Sequence, residues 1–452
     1  MAVQITAGVI FIVMFILIVS EAVERHRASL LCGLVMLVLV QGIMMRDADA
    51  VWRILSLDSF VNPAFWFMTT GESEAGVGIN WATIIFICGM MIMVEGMGKS
   101  GFFRWLCLRL SKAVNYRPGR LFVMFMILAA ALSMFIDSIT VILFLSAVTA
   151  ELASLLRLDP IPFITGEIFC ANLGGTATMC GDPPNIIIGT ALNYTFTQFI
   201  THTGWIAGAV FVIILIYFFL TLHKKLKIDV GEQTAEVSYP SPETAVKDKK
   251  AFAVSCVIFF AAVVMLATHA STGLTVSAIG VIIAAATLLT SRSVAAFELV
   301  KAVDYKTLLF FIGLFIVVGG LEVSGILDII ASLIASVGGG NLYLTVAIVI
   351  WMSALCSAFI DNIPFAATMV PIIKSLAATH GFPLDTLAWT LSVGTDIGGN
   401  ATPIGASANV VGISVAAKNG HLITWRKFCR YAVPATLISV TASMLFIFAA
   451  YC

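Results

Sequence analysis

Four short polar motifs interrupt long apolar stretches and carry most of the side chains that could bind an ion or solute. Two are the pairs Asp137-Ser138 and Asp361-Asn362, each flanked directly by apolar residues. The other two are the glycine-rich segments 174–185 (GGTATMCGDPPN) and 396–409 (DIGGNATPIGASAN). The predicted binding residues are Asp137, Ser138, Thr140, Asn172, Thr176, Thr178, Asp182, Asn185, Asp361, Asn362, Asp396, Asn400, Thr402, Ser407 and Asn409.

The four aspartates at positions 137, 182, 361 and 396 indicate cation coupling. No Lys or Arg lies within these motifs, so we expect the carboxylates to lack a basic partner. An isolated carboxylate in a membrane is costly unless it binds a proton or another cation. We predict a proton as coupling ion, with sodium as the alternative, and expect a multiply charged anion to be disfavoured. Asp137 and Asp361 could instead act only as helix N-caps.

The glycine-rich segments predict two broken helices. Glycine and proline oppose a continuous helix, and irregular backbone within a membrane survives only where it lines a polar cavity. The half-helix ends then offer amides and carbonyls to a small inorganic ion or a small oxygen-rich solute. Tight helix packing is the alternative role for the glycines. The residues predicted to break the helices are Gly174, Gly175, Gly181, Pro183, Pro184, Gly398, Gly399, Pro403 and Gly405.

The composition excludes a water-soluble fold. Apolar residues make up 60% of the 452 positions and charged residues 11%, against roughly a quarter charged in soluble domains. We therefore expect an all-α integral membrane protein whose main partner is the lipid bilayer, with no nucleic acid. Nine scattered cysteines predict neither a disulfide scaffold nor a metal site. Hydropathy predicts ten spans, at 4–20, 28–45, 81–98, 161–200 (broken), 205–222, 251–268, 274–290, 306–322, 384–417 (broken) and 431–450.

An internal repeat organises these spans. Shifting the chain by 224 residues aligns 81–185 with 305–409 without a gap, and 22 of the 105 pairs are identical. We predict two five-span units, 1–222 and 251–452, joined by a cytoplasmic linker at 223–250. An odd number of spans inverts the second unit relative to the first. Each unit also contains a predicted re-entrant hairpin, at 121–156 and 345–380.

Basic residues predict the orientation, because Lys and Arg are enriched in cytoplasmic loops. With both termini outside, 22 of the 25 basic residues fall on the cytoplasmic side. The exceptions are Arg46, Arg53 and Lys374. We therefore expect a multi-pass protein of the cytoplasmic membrane with its N- and C-termini outside.

The four motifs resemble the ArsB/NhaD group of the ion transporter superfamily, and within it arsenical-pump-like permeases and P-protein relatives. This resemblance implies a scaffold and a mobile transport unit made of the hairpins and broken helices. It also implies arsenite or antimonite export against protons, sodium/proton exchange, or carboxylate uptake. Candidate partners by the same resemblance are an arsenic-pump ATPase subunit and a second copy in a homodimer.

The residues at the two hairpin tips favour one of these transport activities over the others. Dicarboxylate carriers of similar architecture show Ser-Asn-Thr, whereas the tips here read Asp-Ser-Ile-Thr and Asp-Asn-Ile-Pro. We predict a proton-coupled antiporter that exports arsenite or antimonite, with a sodium/proton antiporter as the first alternative and di- or tricarboxylate uptake as the second. An enzyme is not expected, since no nucleophile and base or metal-ligand pattern occurs.

Overall fold

The computed structural model describes residues 1–20, 22–67, 77–222, 239–291 and 293–452, which are largely helical. The first part contains α1 Ala2–Val19, α2 Arg25–Val35 with a π-helical continuation Met36–Met45, α3 Ala48–Leu55, α4 Trp81–Ser100, α5 Phe102–Ala113, α6 Pro118–Ser133, α7 Ser138–Leu156, α8 Ile161–Gly175, α9 Pro183–Leu192, α10 Phe196–Phe199, a π-helical segment Ile200–Gly204 and α11 Trp205–Leu222. The second contains α12 Lys249–Thr272, α13 Val276–Thr290, α14 Ser293–Ala302, α15 Tyr305–Val323, α16 Ile326–Gly338, α17 Leu342–Ser357, α18 Asn362–His380, α19 Leu384–Gly398, α20 Ser407–Lys418 and α21 Trp425–Tyr451.

The predicted all-α membrane fold is confirmed. Within the described part of the chain, 8 helices are long and apolar enough to cross a bilayer. Seven of them coincide with predicted spans, and the eighth is the hairpin helix α7. The predicted crossing 274–290 is the shorter helix α13, and each predicted broken crossing is a pair of short helices, α8 with α9 and α19 with α20.

The 224-residue offset recurs in the helix boundaries. Helices α4, α6, α7 and α9 begin at residues 81, 118, 138 and 183, while α15, α17, α18 and α20 begin at 305, 342, 362 and 407. Each pair differs by 224 residues. Of the predicted linker 223–250, residues 223–238 lie outside the described residues; a 3₁₀ turn, Pro242–Ala245, and the start of α12 follow.

Glycines allow helices from different halves to cross with their backbones in contact. A Cβ atom on Gly313 of α15 would lie 2.4 Å from the backbone of Ser29 on α2. A Cβ atom on Gly89 of α4 would lie 2.2 Å from the carbonyl oxygen of Gly280 on α13. Small residues permit this close approach between membrane helices. The two halves are therefore interlocked through the α2–α15 and α4–α13 crossings.

Glycines also bring the broken helices into close backbone contact with the hairpin helices. A Cβ atom on Gly174 of α8 would lie 2.2 Å from the carbonyl oxygen of Ala130 on α6. The equivalent atom on Gly398 of α19 would lie 2.3 Å from Cα of Ala354 on α17. Each break is thereby held beside the tip of the hairpin in its own half.

Candidate functional site

The two hairpin tips meet at the carboxylate of Asp182. Ser138, the first residue of α7, donates from Oγ to Oδ1 of Asp182 at 2.8 Å. Asn362, the first residue of α18, donates from Nδ2 to Oδ2 at 2.8 Å. Asp182 is only 2% exposed. The two tips share one carboxylate and therefore lie side by side.

The aspartates at the tips both cap helices. Asp137 accepts from the backbone N–H of Thr140 at 2.9 Å and from its hydroxyl at 2.7 Å. Asp361 accepts from the backbone N–H of Ile363 at 3.4 Å. The N-cap role considered for these two residues is therefore present, and Thr140 serves the cap of α7.

Arg25 is a member of the site that the motifs did not reveal. It is the first residue of α2, and its Nη1 lies 2.6 Å from Oδ2 of Asp361. The same nitrogen lies 3.5 Å from Oγ of Ser407, which itself donates to Asp361 at 2.8 Å. The prediction that all four aspartates lack a basic partner is thus wrong for Asp361. It failed because Arg25 precedes Asp361 by 336 residues and lies outside every motif.

The other three aspartates agree with that prediction. None of the ion pairs between described residues includes Asp137, Asp182 or Asp396. The positive charge of one guanidinium group therefore faces up to four negative charges from the carboxyl groups of the aspartates. The excess of acidic groups favours the binding of protons or other cations.

Four helix N-termini converge at the site. Ser138 of α7 and Asn362 of α18 both contact Asp182, the residue that precedes α9. Ser407, which begins α20, contacts Asp361, the residue that precedes α18. Each helix N-terminus carries about half a positive charge and presents unpaired N–H groups. The carboxylates offset this positive potential, so neutralising one of them favours the entry of an oxygen-rich anion.

Two asparagines hold the breaks in shape. Asn185 donates from Nδ2 to the carbonyl oxygens of Gly175 and Thr178, at 3.1 and 3.2 Å. Asn409 makes the same two contacts in the second half, each at 2.8 Å. Both amides thus satisfy carbonyl groups that the interrupted helices would leave without partners. These predicted binding residues have a structural role.

The threonines of the breaks also donate to backbone carbonyls. Thr178 and Thr402 donate to the carbonyl oxygens of Met134 and Ala358, which lie at the ends of α6 and α17. Thr176 donates to a carbonyl one helical turn earlier, on Asn172, at 3.1 Å. The first two bonds tie each break to the hairpin of its own half.

The residues predicted to interrupt the helices lie where the helices end. Gly175 ends α8 and Pro183 begins α9, while Gly398 ends α19. A 3₁₀ turn, Gly399–Ala401, follows α19. The remaining predicted positions lie in or next to these interruptions: Gly174, Gly181, Pro184, Pro403 and Gly405.

A buried amide network joins the two broken helices. Asn172 on α8 donates from Nδ2 to Oδ1 of Asn400 and to Oδ1 of Asn409, both at 2.9 Å. Asp396 on α19 occupies the position equivalent to Asn172 under the 224-residue offset. Thr176 and Asn185 lie close enough to its carboxyl group to stabilise the negative charge, yet neither carboxyl oxygen receives a well-aligned hydrogen bond from the described residues.

A cavity of about 540 Å³ approaches the site along α9 and α18. Its walls include Ile187 and Thr190 of α9, and Ala367 and Lys374 of α18. It also reaches Met179 in the first break, three residues before Asp182. The cavity therefore extends to the first break, while Ser138, Asp182 and Asn362 do not line it.

A comparison with protein families identifies the group to which the chain belongs. The model of the family described as "Citrate transporter" matches residues 15–394, which is most of the chain. The chain belongs to the citrate transporter family. Membership places the chain among multi-pass membrane transporters.

Several relatives of this citrate transporter family member are named transporters or P proteins. An uncharacterised transporter of Mycobacterium tuberculosis is 31% identical over 460 residues, covering 99% of both chains. A second transporter of that organism is 32% identical over 380 residues, covering 83% of this chain and 87% of its own. The P protein of Homo sapiens is 28% identical, and the match covers 82% of this chain but 54% of the P protein. The predicted similarity to P proteins is confirmed; closer membership of the ArsB/NhaD group stays a prediction.

Two solved structures share the fold of this citrate transporter family member. The YdaH transporter of Alcanivorax borkumensis has a TM-score of 0.56 at 14% identity, covering 94% of this chain and 98% of its own. MtrF of Neisseria gonorrhoeae has a TM-score of 0.56 at 14% identity, covering 89% and 84%. At this identity the likeness concerns the fold alone.

Proposed function

We propose that this protein is a proton-coupled secondary transporter that carries a small oxygen-rich anion, a citrate-like carboxylate, across the cytoplasmic membrane. The observation that carries the proposal is the buried carboxylate of Asp182, held between both hairpin tips where four helix N-termini converge. The termini lie outside in this proposal, as the distribution of basic residues predicts.

Proton and anion bind together in this scheme. A proton on Asp182 removes one negative charge from among the four helix N-termini, so the positive potential of their N–H groups is no longer offset there. Ser138 Oγ and Asn362 Nδ2, which donate to the ionised carboxylate, can then donate to oxygen atoms of the solute. The anion in turn stabilises the protonated form, because a negative charge beside Asp182 opposes its ionisation.

Two features favour a carboxylate as the solute. The family model that covers residues 15–394 is that of a citrate transporter. Arg25 supplies a cationic group at Asp361, with a side chain that is 36% exposed and therefore within reach of water. A guanidinium group is well suited to bind a carboxylate through two hydrogen bonds.

Proton-coupled antiport of arsenite, antimonite or sodium is the second candidate. The excess of carboxyl groups favours it, because three of the four aspartates have no basic ion-pair partner among the described residues. A neutral metalloid acid or a sodium ion does not add negative charge to such a site. The ATPase subunit and the homodimer remain predicted partners of this second candidate.

The sign of proton movement separates these candidates. Purified protein is reconstituted into weakly buffered liposomes that contain a pH-sensitive dye, and citrate, arsenite or sodium is added outside. Citrate entering with protons acidifies the lumen, whereas arsenite or sodium entering in exchange for protons makes it alkaline. Protein-free liposomes correct for passive leakage of each solute.

Asp182→Asn is the test of the site, and Asp159→Asn is its matched control. Asp159 is a carboxylate in a solvent-exposed turn that caps the backbone N–H of Ile161. We expect proton movement to vanish in Asp182→Asn and to remain in Asp159→Asn. Alkalinisation by arsenite or sodium without a citrate response would replace the carboxylate proposal by the second candidate. Full proton coupling in Asp182→Asn would refute the role of Asp182.

A further inference from the structure

The two halves of the molecule differ at one buried position where their symmetry would predict the same chemistry. Asn172 in the first half and Asp396 in the second are separated by 224 residues, and both are completely buried. The amide of Asn172 donates to Asn400 and Asn409. The residues equivalent to those two acceptors are Thr176 and Asn185, because 400 − 224 = 176 and 409 − 224 = 185.

Asp396 therefore has neighbours equivalent to those of Asn172, but it lacks the side-chain NH₂ group with which Asn172 donates hydrogen bonds. Thr176 and Asn185 lie beside the Asp396 carboxyl group, as the symmetry requires. Where the first half places an NH₂ group, the second half places only carboxylate oxygens. Neither oxygen receives a well-aligned hydrogen bond from the residues that the structure describes, although Thr176 and Asn185 lie close to both.

The nearby donors are already used. The hydroxyl of Thr176 donates to the carbonyl oxygen of Asn172. The two hydrogens of the Asn185 amide go to carbonyl oxygens of the first break. No ion pair of the described residues includes Asp396. Keeping this buried carboxylate ionised costs more free energy than the neighbouring groups can offset, unless a cation neutralises it.

We propose that a monovalent cation, sodium or a proton, binds at Asp396, in the place that the amide hydrogens of Asn172 take in the first half. The inference rests on the proposed cation coupling and adds a second cation position, at Asp396, to the protonation of Asp182. A monovalent ion is proposed because the single carboxylate of Asp396 neutralises one positive charge. Thr176 Oγ1 supplies a neutral oxygen ligand beside the carboxylate.

This site is distinct from Asp182 but acts on it. Asp182 receives a hydrogen bond on each oxygen from the hairpin tips, whereas Asp396 receives none. The two carboxyl groups lie near enough for their charges to repel one another. A cation bound at Asp396 removes this repulsion, so that occupation of one site changes the affinity of the other.

The test measures how the unfolding temperature of the purified protein depends on sodium and on pH. Choline chloride keeps the ionic strength constant during the sodium titration. An ion that binds only the folded protein raises the unfolding temperature as its concentration increases. We expect the wild type, Asp159→Asn and Asp182→Asn to respond, while Asp396→Asn responds with an apparent affinity lowered about tenfold or more.

Asparagine is the informative substitution because it supplies the NH₂ group that the first half already uses. A charge exchange, Asn172→Asp with Asp396→Asn, moves the carboxylate to the equivalent position and should restore the response. A sodium response at fixed pH identifies sodium as the ion. If sodium has no effect, a component of the pH dependence that disappears in Asp396→Asn and returns in the charge exchange identifies the proton.

Three outcomes would overturn the inference: an undiminished response in Asp396→Asn, a response lost in Asp182→Asn, or no response in the wild type. Since this assay does not measure transport, solute-driven proton movement in liposomes would leave the proposed function standing in each of these cases.

Discussion

Replacing Arg25 by Gln removes the one ion pair between α2 and the tip of the second hairpin that the described residues contain. The pair is short, 2.6 Å, and asymmetric in burial, with side-chain exposures of 36% for Arg25 and 5% for Asp361. Exposed pairs contribute about 0–1 kcal/mol, and breaking a buried pair costs about 3–5 kcal/mol. This pair lies between these cases, so we expect a coupling energy of about 2 kcal/mol.

A double-mutant cycle measures that energy without attributing other effects to the pair. The free energy of unfolding in bicelles is measured by steric trapping for the wild type, Arg25→Gln, Asp361→Asn and the double variant. Arg27→Gln is the matched control, because Arg27 lies two residues further along α2 and pairs at 3.0 Å with exposed Glu24. We expect that control to change stability little.

The reasoning is refuted if the coupling between Arg25 and Asp361 is below about 0.5 kcal/mol, the level at which independent sites add. In that case the hydrogen bond from Ser407 would be enough to stabilise the Asp361 carboxylate, since the Ser407 hydroxyl also donates to Oδ2 at 2.8 Å. A coupling near the expected value would show that Arg25 stabilises the packing of α2 against the tip of the second hairpin.

Two further substitutions test how the breaks are held, with unfolding free energy as the measurement. Asn409→Ala leaves two buried carbonyl oxygens without donors and should cost about 2–4 kcal/mol; Asn419→Ala, which removes one part-buried bond at the end of α20, should cost less than about 1 kcal/mol. Gly398→Ala should cost about 3 kcal/mol or prevent folding, because its Cβ would lie 2.3 Å from Cα of Ala354. Gly208→Ala meets no atom within 4 Å and should be neutral or stabilising. If the test variant and its control lost the same free energy of unfolding in either pair, the structural roles given to Asn409 and Gly398 would be wrong.

Much of the architecture was predictable because two periodic signals agree in this sequence. Apolar stretches of membrane length define the spans, and the 224-residue offset divides them into equivalent sets. Glycine and proline then place the interruptions, since both residue types oppose a helix for local reasons. The end of α8 at Gly175 and the start of α9 at Pro183 follow directly from these local preferences.

The contacts within the site were not predictable to the same degree. Arg25 precedes a span and was counted among cytoplasmic charges, and no sequence pattern connects it to Asp361. The roles of Asn185 and Asn409 also depend on which carbonyls each break exposes, which requires the folded backbone. The motifs therefore identified segments that the fold brings together, but they overestimated how many of their polar groups remain free for a ligand.

The glycine crossings between the halves also constrain how the chain is made. Gly33 of α2 approaches the carbonyl oxygen of Gly313 closely, and 313 − 33 = 280 residues separate them along the chain. At about 5–20 residues per second, synthesis of that interval takes roughly 15–60 s. During this time α2 resides in the bilayer without its final neighbour. During biogenesis the first half therefore stays incompletely assembled until the second half has been inserted.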